Sequence, residues 1–331
     1  MLNESSAYSL GIDIGGTKIS TAVVNIKGEI ITKTRIPTNA EKGVSEMVKR
    51  VVNAAEKTLQ SSNLEKNKIC GVGIGVPGPV DYEKGVLIFA PNLSGWRNVP
   101  FKKMIQQRIN LPVYLENDAN AAALGEKLFG SGRDVNNLVY ITISTGIGAG
   151  VIINGKLYQG STGTAGEVGH MTIDINGPLC ECGNRGCFEA LASGNAVARE
   201  MREMLSSGKS SVITKWVEEI KEVKAEHVFK AAREGDVSAK KIVEKTCRYL
   251  AAGIGNVINL LNPELIIIGG GVSNAWDVIR NPVMKELKKR VFSPNLDAVK
   301  VVCSHMGDDI GVLGAAALGF MNSKNFHDRC F

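Results

Sequence analysis

Histidine is scarce in this chain, at four of 331 residues, and aromatic side chains make up 5%. No apolar run approaches the ~20 residues that a membrane-crossing helix needs. Residues 1–8 (MLNESSAY) show neither the basic nor the apolar part of a secretory signal. The expectation is a cytoplasmic protein with no membrane contact. Charge of one sign is also missing: 39 Lys and Arg face 33 Asp and Glu, a net charge of +6. The excess is spread along the chain, and its densest run, residues 285–290 (KELKKR), reads as a helix end. It serves solubility, and no nucleic-acid partner is expected. The seven cysteines are an odd number, and without an export signal they do not suggest a disulfide framework. What remains is ordinary for a soluble globular protein, with 44% hydrophobic and 22% charged residues. The length suits two domains at ~100–200 residues each. Glycine stands out at 37 residues, many placed just after apolar runs.

The order of patterns predicts an α/β architecture. Strand-like runs fall at 9–13, 19–26, 69–75, 112–115, 138–144, 149–153, 263–268 and 298–304. Helical spacing covers 43–60, 101–109, 117–129, 193–206, 212–234, 236–261, 274–290 and a last stretch to Met321 with Asp309 as its cap. Residues 10–30 and 140–157 share one plan: strand, glycine-rich turn, strand, two-residue turn, strand. Chance likeness of two hairpins is the plain alternative to a fold built from two related halves.

The first glycine turn, residues 13–18 (DIGGTK), lies between two strands. It is not a Walker loop or a dinucleotide fingerprint, because no helix follows it. Gly15 and Gly16 would let main-chain N–H groups approach a phosphate, with the Thr17 hydroxyl beside them. Asp13 at the strand end can hold Mg²⁺ through water. One such turn alone is as well read as a plain hairpin. The second, residues 144–148 (STGIG), makes a pair that can grip one polyphosphate. Gly269 to Gly271 follows a buried strand and suits either a nucleotide or tight helix–strand packing. Residues 116–120 (ENDAN) place Asp118 at a helix start, with more polar groups than an N-cap needs. An aspartate there can orient a hydroxyl and take its proton late.

Three cysteines fall within eight residues: Cys180, Cys182 and Cys187, preceded by His170. One imidazole and three thiolates complete a tetrahedral Zn²⁺ site with no open position, a structural site. The second imidazole nitrogen is then left for a ligand hydroxyl. Glu167 and Glu189 would be held nearby, two carboxylates suited to a polyol, although each alone reads as a surface charge. His227, His305 and His327 have no partner pattern and read as surface or structural residues.

Four segments carry a resemblance: 10–18 (LGIDIGGTK), 116–126 (ENDANAAALGE), 166–170 (GEVGH) and 180–189 (CECGNRGCFE). Together they resemble the ROK family (repressor, open reading frame, kinase), and within it the bacterial ATP-dependent glucokinases. The match runs from Leu10 to the last helix. The resemblance implies an actin-like ATPase, ribonuclease H-like duplicated fold of two α/β domains with an interdomain cleft. A small domain would comprise residues 1–115 and 310–331, and a large one 116–309 with a zinc-binding loop at 166–189. It implies transfer of the γ-phosphoryl of ATP to the 6-hydroxyl of glucose, with Mg²⁺, in a homodimer or homotetramer. The catalytic aspartate of the family falls on Asp118. Its sugar contacts fall on Gly78, Asn92, Asn117, Asp118, Glu167, His170 and Glu189. Its nucleotide residues fall on Gly15, Gly16, Thr17, Lys18, Thr145, Gly146, Gly148, Gly270 and Gly271, joined by Asp13 from the residue reading. Its zinc ligands fall on His170, Cys180, Cys182 and Cys187. Residues 206–230 match no part of the family pattern. Besides a non-enzymatic sugar-binding protein, two other readings stay open. One is a kinase for another hexose, such as N-acetylmannosamine, mannose or fructose. The other is a sugar-responsive repressor, for which the expectation is that no room precedes the strand near residue 9 for a DNA-binding domain.

Overall fold

A computed structural model describes residues 7–90 and 96–323. The predicted sugar contact Asn92 lies outside the described residues. In chain order the elements are β1 (Tyr8–Ile14), β2 (Lys18–Asn25), β3 (Ile30–Pro37), α1 (Gly43–Ser61), β4 (Ile69–Val76), β5 (Val80–Asp81), β6 (Val86–Phe89), β7 (Arg97–Val99), α2 (Phe101–Ile109), β8 (Val113–Asn117) and α3 (Asp118–Phe129). They continue as β9 (Leu138–Ile143), β10 (Ile147–Ile153), β11 (Lys156–Leu157), α4 (Phe188–Ala192), α5 (Gly194–Ser206), α6 (Ala225–Arg233), α7 (Val237–Leu261), β12 (Leu265–Gly269), α8 (Trp276–Leu287), α9 (Ser293–Ala298), β13 (Lys300–Cys303) and α10 (Ile310–Met321).

Two five-stranded sheets share one plan. The first has the order β3-β2-β1-β4-β8 and the second β11-β10-β9-β12-β13. In the first, β1 and β2 are antiparallel, whereas β4 runs parallel to both β1 and β8. In the second, β12 runs parallel to both β9 and β13. The repeat seen at 10–30 and 140–157 is therefore a duplicated sheet, the actin-like plan that the resemblance implied.

Contacts divide the chain into two units. One takes in the described parts of Met1–Asn136, Gly150–Gly166 and His305–Phe331; the other is Asn137–Ala149 with Glu167–Ser304. The first unit thus runs past residue 116, where the sequence suggested a boundary. The reason is α3, whose alanine-rich face buries against α10. On one side of the first sheet, α1 and α2 pack large side chains, including Met47, Val51, Phe101 and Ile105, against Leu10, Ile12 and Ile74. The other side works differently. There α10, with the sequence IGVLGAAALGFM, meets β1 and β4 almost backbone to backbone. A Cβ on Gly11 would lie 2.1 Å from the Val312 carbonyl oxygen, and one on Gly73 only 1.8 Å from that of Ala315. Small residues there bring peptide groups close enough to exclude any larger side chain.

In the second unit, the 25-residue α7 packs against α4, α5, α6 and α8. The Phe188 ring fits against Gly253 of α7, where an added Cβ would stand 2.5 Å from the ring. The helix predicted over 212–234 is the main departure. Residues 212–215 and 220–222 form single 3₁₀ turns, and only Ala225–Arg233 is α-helical. Ser211 caps the first turn, the Asp236 carboxylate accepts the Val212 N–H, and Lys230 lies over the Trp216 ring at 4.1 Å. These local partners outweigh the apolar periodicity. Asp309, predicted as a side-chain cap for α10, makes no cap bond and pairs with Lys33 instead.

Gly73→Ala is expected to destabilise the protein by about 1–3 kcal/mol or more, the range for overpacked cores. Urea unfolding of the variant against the parent measures it.

Candidate active site

In the first unit the site is built on the β8–α3 junction. Asn117 keeps an extended backbone, and its side-chain oxygen accepts the N–H groups of Ala119 at 2.9 Å and Asn120 at 3.2 Å. It is the N-cap, and α3 starts at once with Asp118. The Asp118 carboxylate is exposed and accepts the Ala119 N–H at 2.8 Å. Asn117 also donates through Nδ2 to the Gly78 carbonyl at 3.2 Å. Gly78 has φ +95°, and a Cβ there would meet the Phe89 carbonyl oxygen at 2.3 Å. The predicted sugar contacts Gly78, Asn117 and Asp118 are thus contiguous.

Behind them sits Glu116, almost wholly buried. Its Oε1 accepts the Asn117 N–H at 2.8 Å and Asn120 Nδ2 at 3.0 Å, and its Oε2 accepts Gln159 Nε2. Removal from water pushes this carboxyl above its ordinary range, while the hydrogen bonds pull it back. The role of Glu116 was not visible in the sequence, because Gln159 lies 43 residues away.

The first glycine turn is closed by the Gly15 N–H on the Lys18 carbonyl at 2.9 Å and pinned by Thr38, whose hydroxyl donates to the Gly15 carbonyl at 2.7 Å. Gly16 and Thr17 are exposed at its tip. Asp13 lies against the start of α10; a Cβ on Gly311 would come within 2.5 Å of its carboxyl. Burial pushes the Asp13 carboxyl up to about 6, against the pull of Lys18, Arg35 and Lys33. A cation beside it would favour the ionised form.

In the second unit, the ligand atoms of His170, Cys180, Cys182 and Cys187 all lie within 4.8 Å of one another. The sulfurs of Cys182 and Cys187 are 3.7 Å apart, and Cys180 Sγ is 3.9 Å from His170 Nδ1. A disulfide needs about 2.05 Å, whereas ~2.3 Å zinc–sulfur bonds at tetrahedral angles set sulfurs about 3.8 Å apart. Removal from water pushes the Cys187 thiol up to about 12, so a thiolate there calls for a cation. The donor set fits Zn²⁺. With Nδ1 turned to the sulfurs, His170 Nε2 faces Glu167 Oε2 at 3.8 Å. Glu167 is exposed; its carboxyl is raised by desolvation, lowered by His170 and raised again by Glu189. Glu189 stands on the first turn of α4, just after Cys187.

The second glycine turn follows β9. Its Ile147 N–H donates to Glu189 Oε2 at 2.8 Å, and the Gly194 N–H donates to the Ser144 carbonyl at 2.7 Å. Ser144 and Thr145 open onto a cavity of about 400 Å³ that Gly271 also lines. Its apolar wall includes Ala198, Val223, Phe229 and Ala275; its polar edge carries Asn195, Arg202, Lys224 and Arg233. Arg233 is held by Asp277 through bonds of 2.8 and 2.6 Å. Residues 223–226 and Phe229, in the stretch that the family pattern leaves unmatched, are therefore part of this wall. Gly270, with φ +80°, serves packing: a Cβ would meet Ile143 backbone atoms at 2.5 Å. Gly146 is placed against Glu189, and Gly148 follows within β10. His227 accepts the Lys224 N–H and so ends up structural. A larger depression of about 750 Å³ in the first unit, bordered by Lys84, Lys102 and Lys103, holds none of the predicted residues.

Glu116→Gln sets an amide donor against donors. It is expected to cost about 1–3 kcal/mol, as for a buried group left without its partner. Urea unfolding at neutral pH measures this.

Comparison with known proteins places these features. The ROK family pattern matches residues 9–320. The chain is 39% identical to a glucokinase of Thermotoga maritima over 309 residues, 93% of this chain and 96% of that one. It is also 33% identical to a xylose repressor of Caldicellulosiruptor bescii, over 98% of this chain and 81% of the repressor. Among solved structures, a ROK family glucokinase from Streptomyces griseus in complex with glucose and AMPPNP superimposes with a TM-score of 0.81 at 34% identity, covering 94% of this chain and 99% of that one. With its duplicated sheet, its two glycine turns and its His-Cys cluster, the chain belongs to the ROK family.

Proposed function

We propose that the chain transfers the γ-phosphoryl of ATP to the 6-hydroxyl of D-glucose, giving glucose 6-phosphate and ADP. The observation that carries this proposal is Asp118: an exposed carboxylate at a helix start, braced from behind by Asn117 and the buried Glu116. Phosphoryl transfer asks for positioning and charge neutralisation more than for covalent chemistry. Asp118 orients the sugar hydroxyl and accepts its proton late, as bond formation to phosphorus makes that hydroxyl acidic. In the first unit Asn117, with Gly78 next to it, and in the second unit Glu167, His170 through Nε2 and Glu189 bind the other hydroxyls, with Asn92 assigned by the family pattern. The turns at 15–18 and 144–148 present main-chain N–H groups to the phosphates. The adenosine enters the cavity lined by Thr145 and Gly271.

Asp13 is the residue to hold Mg²⁺, which when bound neutralises phosphate charge. His170, Cys180, Cys182 and Cys187 would hold Zn²⁺, which when bound staples a loop that has little apolar core of its own. The xylose repressor relative keeps a second reading in view, a sugar sensor without phosphotransfer.

ATP-coupled turnover across a panel of hexoses separates these readings. The expected outcome is a preference for glucose; activity only with another hexose reassigns the substrate, and no transfer with any sugar favours the sensor. Asp118→Asn is expected to leave glucose binding nearly intact and to lower turnover at least ~10²-fold, the low end for loss of a general base. Near-normal turnover removes Asp118 from its role. Elemental analysis is expected to find stoichiometric zinc, lost in Cys182→Ser together with several degrees of thermal stability.

A further inference from the structure

Glu189 does more than its predicted sugar contact requires. Its Oε2 is spent on the Ile147 N–H of the second glycine turn, at 2.8 Å. The fit around that bond is tight: a Cβ on Gly146 would lie 2.3 Å from the same oxygen. The turn is gripped at two further points from the same side of the chain. Gly169, in the segment between Glu167 and His170, comes so close that a Cβ would stand 2.1 Å from the Ile147 carbonyl oxygen. Gly194, just after α4, donates its N–H to the Ser144 carbonyl at 2.7 Å. Within the turn itself, the Ser144 N–H donates to the Gly146 carbonyl at 2.8 Å. The shape of the turn that faces the nucleotide cavity is therefore set by residues of the sugar-binding segment.

We infer that Glu189 is a positioning residue that couples the two substrates: with Oε2 fixed on the Ile147 amide, a sugar hydroxyl on the other oxygen locks the carboxylate and so sets the turn for the nucleotide phosphates. The inference rests on the glucokinase reading and adds to it a specific link. Coupling of this kind is reciprocal, so glucose tightens the nucleotide by the same factor as the nucleotide tightens glucose. A merely structural role for Glu189 would weaken each ligand alone and leave that factor unchanged.

The test is a pair of calorimetric titrations of a non-hydrolysable ATP analogue into the full chain, with and without saturating glucose. The wild type is expected to bind the analogue at least ~5-fold more tightly with glucose present, the lower end of usual couplings. Glu189→Asp, whose carboxylate cannot span both partners, is expected to bring the ratio to about 1. Because Asp also reaches less far toward the sugar, Gly146→Ala is set beside it: it keeps the carboxylate but drives it off the amide, and since Gly146 is itself part of the phosphate turn, its analogue affinity without glucose is expected to fall and only its ratio is read. A ratio near 1 in Gly146→Ala with both ligands still bound supports the coupling. Hydrogen exchange at the Ile147 amide is expected to slow on adding glucose in the wild type and not in this variant. An unchanged ratio in Gly146→Ala, or a ratio of 1 in the wild type, overturns the inference. A glucose titration of the wild type comes first: failure to bind glucose there overturns the glucokinase reading and with it the coupling, whereas glucose binding followed by a ratio of 1 overturns the coupling alone.

Discussion

A carboxylate can steer a sugar hydroxyl only if its own place is settled before the sugar arrives. Here that place is settled by one buried acid. Glu116 gathers three donors from three parts of the chain: the Asn117 amide, the Asn120 side chain and Gln159. Together they hold β8, the first turn of α3 and the segment after β11. Burying a carboxylate is expensive, and the cost is offset by these bonds. The exposed Asp118 owes its orientation to a neighbour that never meets the solvent.

The two halves of the duplicated fold use the same turn in different ways. The turn at 15–18 is pinned from within its own unit by Thr38, a residue just past β3. The turn at 144–148 is pinned by Glu189 and Gly194, at the end of the long stretch that runs from β11 to the start of α5. One copy has thus kept a local brace, while the other has handed its brace to the segment that carries the cysteine cluster. Duplication supplied two similar turns, and that stretch made them unequal.

Much of this was legible from residue patterns. Glycines after apolar runs marked both turns, and the crowding of His170 with three cysteines marked the cluster. These signals are local, and local signals survive in sequence. The Glu116 network was not legible, because its partner Gln159 is remote and a buried acid has no periodic signature. The nucleotide cavity was half legible: Thr145 and Gly271 stood out, but Val223, Lys224 and Phe229 did not, since their stretch reads as one amphipathic helix from 212 to 234. Trp216 under Lys230 and Asp236 on Val212 break that helix, and such partners appear only in three dimensions. The small residues of α10 looked like an ordinary apolar helix; that glycines of β1 and β4 face them is a fact of packing alone.

The placement of α10 also bears on how the chain is made. This helix covers one face of a sheet whose other strands all come from residues 8–117. During synthesis that face stays open until residue 321 has left the ribosome, just over two hundred residues after the sheet's last strand. The second unit's strands and helices, all within 137–304, are finished sooner. The half that is translated first is thus the half that closes last, and an unfilled apolar surface waits on the nascent chain for chaperones to shield.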